Sequence, residues 1–330
     1  MIIVTGVAGF IGMHVAERLL QRGETVLGVD NLDPYYSVAL KRARLARLCA
    51  HPLFRFEHLD LAEAEATARC FAAANPRLVI HLAAQAGVRH ALTHPEAYVR
   101  ANCAGHLAVL EACRRAPRLG HLVYASSSSV YGERPLDAGG FRETDPVDKP
   151  ASLYAATKRA CELFSQTYAG LYGFPQTGLR FFTVYGPWGR PDMSYFIFTE
   201  KILAGRPIEI FGDGAQARDF TYIDDIVDGV LGAAERPPAA GGHRILNIGR
   251  NQPATVREML ELLEGLLGRS AERIFAPSQP GDVSATCASI EALRALTGYS
   301  PRVSLEEGLE RFVRWRLGEG ALIPELGGAP

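Results

Sequence analysis

Tyr154 and Lys158 stand four residues apart in Ser152-Leu153-Tyr154-Ala155-Ala156-Thr157-Lys158. On a helix that spacing puts both side chains on one face. An ammonium beside a phenol favours the phenolate and lowers its pKa. Such a phenolate is a general base for a secondary alcohol, and a nearby hydroxyl could hydrogen-bond the same substrate oxygen. Candidate hydroxyls lie in Ser126-Ser127-Ser128-Ser129, just before Val130-Tyr131-Gly132. Alone, Tyr-x-x-x-Lys is a common chance match and a serine run is a common solvated loop. Here the run follows Leu122-Val123-Tyr124-Ala125, an apolar stretch that reads as a buried strand.

A second chemical stretch opens the chain. Ile2-Ile3-Val4-Thr5 leads into Gly6-Val7-Ala8-Gly9-Phe10-Ile11-Gly12 and then into an amphipathic segment, 13–22. The order is strand, glycine turn, helix. Glycines let a pyrophosphate approach the backbone, and the helix N-terminus offers it free N–H groups. The spacing is G-x-x-G-x-x-G rather than the commoner G-x-G-x-x-G. A second strand, 25–30, ends in Asp30, 18 residues after Gly12. A carboxylate there accepts hydrogen bonds from the ribose hydroxyls of NAD and repels the extra phosphate of NADP. The plainer alternative is a βαβ unit with a tight turn.

The surrounding elements alternate. Strands are expected near 2–5, 25–30, 54–59, 78–81, 121–126 and 177–182, with helices between them, including 96–115 and 152–172. That alternation predicts an α/β fold, a Rossmann-type doubly wound parallel sheet. Ligands of such sheets bind outside the carboxyl ends of the strands. Asp60-Leu61 follows the third strand, where Asp60 meets the adenine end of a dinucleotide or caps the next helix. Leu82-Ala83-Ala84-Gln85 follows the fourth, where small residues allow close approach. Asn102 could bond across to a neighbouring loop. Beyond residue 182 the pattern loosens: short strands near 208–211 and 218–222 flank Gly212-Asp213-Gly214, 244–248 rejoins the sheet, and 305–317 is a closing helix. The expected division is a nucleotide-binding part, 1–182 plus 223–250, a smaller mixed α/β substrate cap, 183–222 plus 251–317, and a loose tail, 318–330.

Bulk properties exclude several classes. At 330 residues the chain forms one large or two medium domains, and a net charge of −1 gives no field for nucleic acid or a membrane surface. The six cysteines form no C-x-x-C pair, which suits reduced thiols in a cytoplasmic protein. A strand starting at residue 2 leaves no room for a signal peptide, and no apolar run is long enough for a membrane span. Neither a metal-ligand spacing nor a P-loop or G-x-S-x-G is present.

Thr5-Gly6-x-x-Gly9-x-x-Gly12, Asp30, Asp60, His81-Leu82-Ala83-Ala84, Ser126-Ser127-Ser128 and Tyr154-x-x-x-Lys158 together resemble the extended short-chain dehydrogenase/reductase family, in its NAD-dependent epimerase/dehydratase branch. The resemblance runs from residue 1 to about 315. Within the branch the chain is most similar to UDP-glucuronate 4-epimerases, through Asp30-Asn31-Leu32-Asp33-Pro34-Tyr35-Tyr36, Ala84 to Arg89, Leu153 to Lys158 and Arg180 to Asp192. It implies NAD as cofactor, held by Gly6, Gly9, Phe10, Ile11, Gly12, Asp30, Asn31, Asp60, Leu61, Leu82, Ala83, Ala84, Gln85, Asn102 and Ser126 with Tyr154 and Lys158. It implies that Tyr154 takes the C4 hydroxyl proton and that Lys158 holds the nicotinamide ribose. Ser127 matches the family's catalytic hydroxyl, with Ser128 and Ser129 alongside. Thr183 and Arg190 match positions that grip a sugar carboxylate; Arg89, Arg218 and Asp282 complete the UDP-sugar site. A homodimer through a four-helix bundle of 96–115 and 152–172 is also implied; the alternative is that both helices only cover the sheet.

Sister activities are disfavoured by single residues. A 4-keto uronate is a β-keto acid and loses CO₂ readily, so an epimerase must hold its carboxylate, a task for a bidentate arginine. Dehydratases of the family carry an Asp-Glu pair where Ser128-Ser129 stand, and decarboxylases a glutamate at Ser129. A 4-epimerase of a neutral sugar has no need of Arg190, and a silent NAD-binding regulator has none of Tyr154 and Lys158. Gln279, in Gln279-Pro280-Gly281-Asp282, departs from the arginine of many relatives.

Overall fold

Ile2–Thr5 and Leu78–His81 are buried at every position, which suits strands covered on both faces by helices. In the computed structural model, which describes residues 1–136, 139–277, 283–324 and 326, they lie at the centre of a seven-stranded parallel sheet. Its strands are β1 (Ile2–Thr5), β2 (Val26–Asp30), β3 (Phe54–His58), β4 (Leu78–His81), β5 (His121–Ser127), β6 (Gln176–Phe181) and β7 (His243–Ile248). The order is β7-β6-β5-β4-β1-β2-β3. It reverses between β1 and β4, where Thr5 pairs with His81, and this opens a crevice beyond the strands' carboxyl ends.

Two expectations change. The 96–115 helix is not continuous: Pro95–Tyr98 is α-helical, Val99–Ala104 is a π-helix and Gly105–Cys113 is α-helical again. Wider turns go with outside partners for Asn102, whose carbonyl accepts from the Cys161 thiol at 3.2 Å and whose side chain bonds the Gln85 backbone. The 218–222 strand is two pieces, Ala217–Arg218 paired with Ala254–Thr255 and Phe220–Tyr222 paired with Thr183–Tyr185. Between them Asp219 is fully buried, and its carboxylate accepts from the Arg250, Asn251 and Ala288 N–H groups at 3.0, 3.0 and 2.9 Å.

The helix Leu153–Tyr172 starts where the Ser152 hydroxyl accepts the Ala155 N–H at 3.1 Å, and ends at Gly173 with φ +77°. One apolar cluster runs from Ile2 and Val26 through Phe182 and Tyr195 to Leu260 and Phe312, so sheet and cap share a core. The segment after Leu317, expected to be loose, packs on the body where described. Glu319 pairs with Arg47 at 3.2 Å and Leu326 is buried.

Candidate active site

Beyond the crevice lies a cavity of about 880 Å³. Its floor is the glycine turn. Gly6 has φ +68°, and a Cβ there would fall 2.6 Å from the Ala83 nitrogen; one on Gly12 would collide with the Gly6 carbonyl. The helix Phe10–Gln21 begins at Gly9 with no side-chain cap and no acid in its first turn. Its first N–H groups are therefore left to an anion. Asp30 braces the turn, Oδ2 accepting from Ala8 N–H at 3.0 Å and Oδ1 from Leu32 N–H at 2.8 Å. A side-chain-free cradle, an uncapped helix start and a carboxylate beside them fit a dinucleotide's pyrophosphate and ribose.

Tyr154 and Lys158 both face this cavity. Lys158 is buried and donates from Nζ to the Ala125 carbonyl at 3.0 Å. The Tyr154 ring meets Tyr98 edge-on, centroids 6.1 Å apart, and the Tyr98 hydroxyl donates to the Gly87 carbonyl at 2.6 Å. All four serines line the cavity, but their hydroxyls differ. Ser126 donates its hydroxyl proton to Glu162 Oε1 at 2.6 Å. Glu162 in turn receives Arg180 Nε at 2.9 Å and Nη2 at 3.0 Å. Burial opposes its charge, but Arg180 outweighs burial and holds the carboxyl below its usual range. Ser127 accepts from the Ser129 N–H at 3.2 Å and from its Oγ at 2.9 Å, which leaves the Ser127 proton for a substrate oxygen.

Arg190 lines the same cavity. It donates from Nε and Nη2 to Asp192 at 3.0 and 2.5 Å, and Tyr35 donates to the same carboxylate at 2.9 Å. Burial opposes the Asp192 charge, yet the guanidinium keeps its carboxyl below the usual range, while burial and Asp192 push Tyr35 up to about 12. Arg89 lies over the Phe211 ring at 4.5 Å, and Thr183, Arg89 and Arg218 all line the cavity. So do Gly9, Phe10, Ile11, Asn31, Asp60, Leu61, Leu82, Ala83, Ala84 and Gln85.

Asn102 bonds across to a neighbouring loop, as expected: it donates to Gln85 O and Thr157 Oγ1 and accepts from Gln85 N–H, so it holds the Gln85 loop from behind, outside the cavity lining. Asp60 is not the cap of the helix Ala64–Ala74, whose N-cap is Glu63; it accepts from Ala62 N–H at 2.9 Å and pairs with Arg100 at 2.9 Å. Asp282 and Gln279 lie outside the described residues. A second cavity of about 430 Å³, beside Arg142 and Glu291, contains none of the expected residues. Among the described residues no cluster of His, Cys, Asp and Glu could hold a metal ion.

Arg44 was not foreseen. It is fully buried, and it donates to Ala8 O at 3.0 Å, Tyr36 Oη at 2.7 Å, Gly189 O at 2.9 Å and twice to Trp188 O at 3.1 and 2.6 Å. All five guanidinium N–H groups are used. One side chain thus ties the glycine turn to the 186–190 loop that carries Arg190.

Residues 2–249 match the model of the NAD dependent epimerase/dehydratase family. A probable UDP-glucuronate 4-epimerase of Rhizobium meliloti (strain 1021) is 45% identical, over 95% of this chain and 96% of that protein. UDP-glucuronate 4-epimerase 3 of Arabidopsis thaliana is 47% identical, over 96% of this chain and 76% of that protein. Among solved structures, the UDP-glucuronic acid 4-epimerase of Bacillus cereus in complex with UDP-glucuronic acid and NAD superposes with a TM-score of 0.89 at 35% identity, covering 95% of this chain and 98% of that one. With its glycine cradle and its Tyr154–Lys158 pair on one cavity, the chain belongs to the NAD dependent epimerase/dehydratase family.

Proposed function

We infer that the chain is a UDP-glucuronate 4-epimerase, which uses NAD to interconvert UDP-glucuronate and UDP-galacturonate through a transient 4-keto sugar. The observation that carries the choice of an acid sugar is Arg190 on the same cavity as Tyr154 and Lys158. Relatives of that name at 45% and 47% identity support it.

Bound NAD supplies a reversible hydride acceptor at C4. Tyr154 takes the C4 hydroxyl proton and returns it. Lys158, fixed on Ala125 O, places a positive charge on the cavity that Tyr154 lines and would hold the nicotinamide ribose. Ser127 donates to the C4 oxygen, a role supported by its two accepted bonds from Ser129. Arg190 and Thr183 hold the carboxylate out of line with the ketone, so that its C–C bond does not break. Arg89 and Arg218 serve the uridine diphosphate. A neutral sugar offers Arg190 no charge to hold beyond Asp192, and Ser129 gives a decarboxylase no acid.

Arg190→Ala is expected to weaken UDP-glucuronate by roughly 10–100-fold, the loss of one charge-assisted contact. UDP alone should bind within about threefold, since it carries no sugar carboxylate to lose. Calorimetric titration with both ligands checks this; equal weakening would move Arg190 to the nucleotide. The function itself is tested by the products formed from UDP-glucuronate without added cofactor.

The reading includes a homodimer in the cytoplasm. Val99, Leu107 and Leu163 are 49, 41 and 47% exposed on three helical segments that pack together, and this apolar exposure supports a dimer that would cover them. Six free thiols support a reducing compartment. Among the described residues no helix is long and apolar enough to cross a membrane. Leu163→Arg is expected to give monomers in sedimentation at micromolar concentration; an unchanged sedimentation coefficient would place the interface elsewhere.

A further inference from the structure

Arg190 already holds a carboxylate. Asp192 accepts its Nε and Nη2 at 3.0 and 2.5 Å, along one edge of the guanidinium, and Tyr35 donates to Asp192 Oδ2 at 2.9 Å. Gly87 closes the arrangement: its φ is +108°, and a Cβ there would fall 2.9 Å from the Tyr35 hydroxyl. Tyr35, Arg190 and Asp192 all line the cavity that holds Tyr154 and Lys158. We propose that Asp192 is a resident carboxylate, which occupies Arg190 when no acid sugar is bound and competes with the sugar's carboxylate for the same guanidinium. This rests on the reading that Arg190 grips that carboxylate.

Two physical needs meet here. A part-buried guanidinium with no anion is costly, so the sugar-free protein needs a partner for Arg190. A neutral sugar brings no replacement and leaves the Arg190–Asp192 pair closed, whereas a uronate exchanges one carboxylate for another. The second need comes from the reaction. Hydride must return to the opposite face of C4, so the ring has to turn over between the two transfers, and its carboxylate moves with it. A grip without a competitor would resist that movement. Asp192, tethered by Tyr35 within two residues of Arg190, takes the guanidinium only for the turn itself; Arg190 holds the sugar carboxylate in both hydride-transfer poses, and Thr183 stays with it between them.

The test uses the full-length protein with its bound NAD and Tyr154→Phe as background, so that ligands are not turned over. Affinities for UDP-glucuronate, UDP-glucose and UDP are measured with and without Asp192→Asn. The isosteric amide keeps the shape and removes the competing charge. Asp192→Asn is expected to tighten UDP-glucuronate by about tenfold or more, the reach of one charge-assisted pair. UDP-glucose and UDP should stay within about twofold, which also reports intact folding. With Tyr154 present, Asp192→Asn should lower KM for UDP-glucuronate and lower kcat with it, as the sugar turns less freely. Unchanged or weaker UDP-glucuronate binding would overturn the proposal and leave Asp192 as a residue that only positions Arg190. Undiminished UDP-glucuronate binding in Arg190→Ala is a different failure, because it would remove the grip on which the proposal rests.

Discussion

Tyr154→Phe is expected to lower kcat by about 10²–10⁴-fold while the protein keeps its NAD. The substitution removes one oxygen, the atom that carries the C4 proton. Little else depends on it. The ring sits edge-on to Tyr98, and phenylalanine fills the same space. The cofactor side is built elsewhere, from the glycine turn that Asp30 braces and from Lys158, which is anchored on the Ala125 carbonyl. Ser127 cannot take over, since a serine hydroxyl is a far weaker acid than a phenol. Turnover measured beside NAD content per chain separates the two effects. Near-normal turnover would remove Tyr154 from the chemistry, and loss of NAD would give it a binding role instead.

Arg44→Met should be the most damaging single change outside the reacting groups. Methionine matches the arginine stem in bulk and donates nothing. Ala8 O, Tyr36 Oη, Trp188 O and Gly189 O would all lose a donor inside the fold. Each orphaned acceptor costs about 1–3 kcal/mol, less where the chain relaxes, so a total on the order of 4 kcal/mol is expected. Over the unfolding entropy of a 330-residue chain, that corresponds to a fall in Tm of about 6 °C. Because the clamp holds both the glycine turn and the 186–190 loop, surviving protein should also bind UDP-glucuronate more weakly than UDP. Arg44→Lys has fewer donors and no planar fork, and should recover only part of the loss. Thermal unfolding of the two variants checks this; an unchanged Tm in Arg44→Met would mean that solvent reaches these carbonyls.

What could be read from the sequence was local. Short β-rich runs alternating with helices lead to a parallel sheet, and residues at or just past the strand ends, Gly6, Asp30, Ala83 and Ser127, share one cavity with Tyr154. Each of those signals is a spacing within a few residues. Arg44 gives no such signal. It sits in an arginine-rich helix, Val38–Cys49, that looks solvated, and its main acceptors are 144 and 145 residues away. The four serines of 126–129 are chemically alike in sequence; Glu162, 36 residues on, draws off the Ser126 hydroxyl. Asp219 splits a strand because its backbone partners come from 250, 251 and 288. A π-helix at 99–104 likewise depends on Gln85 and Cys161, not on its own residues. Long-range polar pairing leaves no period in the chain.

The most direct test is incubation of the purified protein with UDP-glucuronate and no added cofactor, with the sugar products followed by NMR. UDP-galacturonate should accumulate until both epimers coexist at equilibrium, which requires C4 inversion, a carboxylate that survives the ketone and NAD that stays bound. UDP-xylose or a UDP-linked 4-keto pentose would show that Arg190 and Thr183 do not protect the carboxylate, and the chain would be a decarboxylase. No change even with NAD added, together with turnover of UDP-glucose, would contradict the acid-sugar assignment.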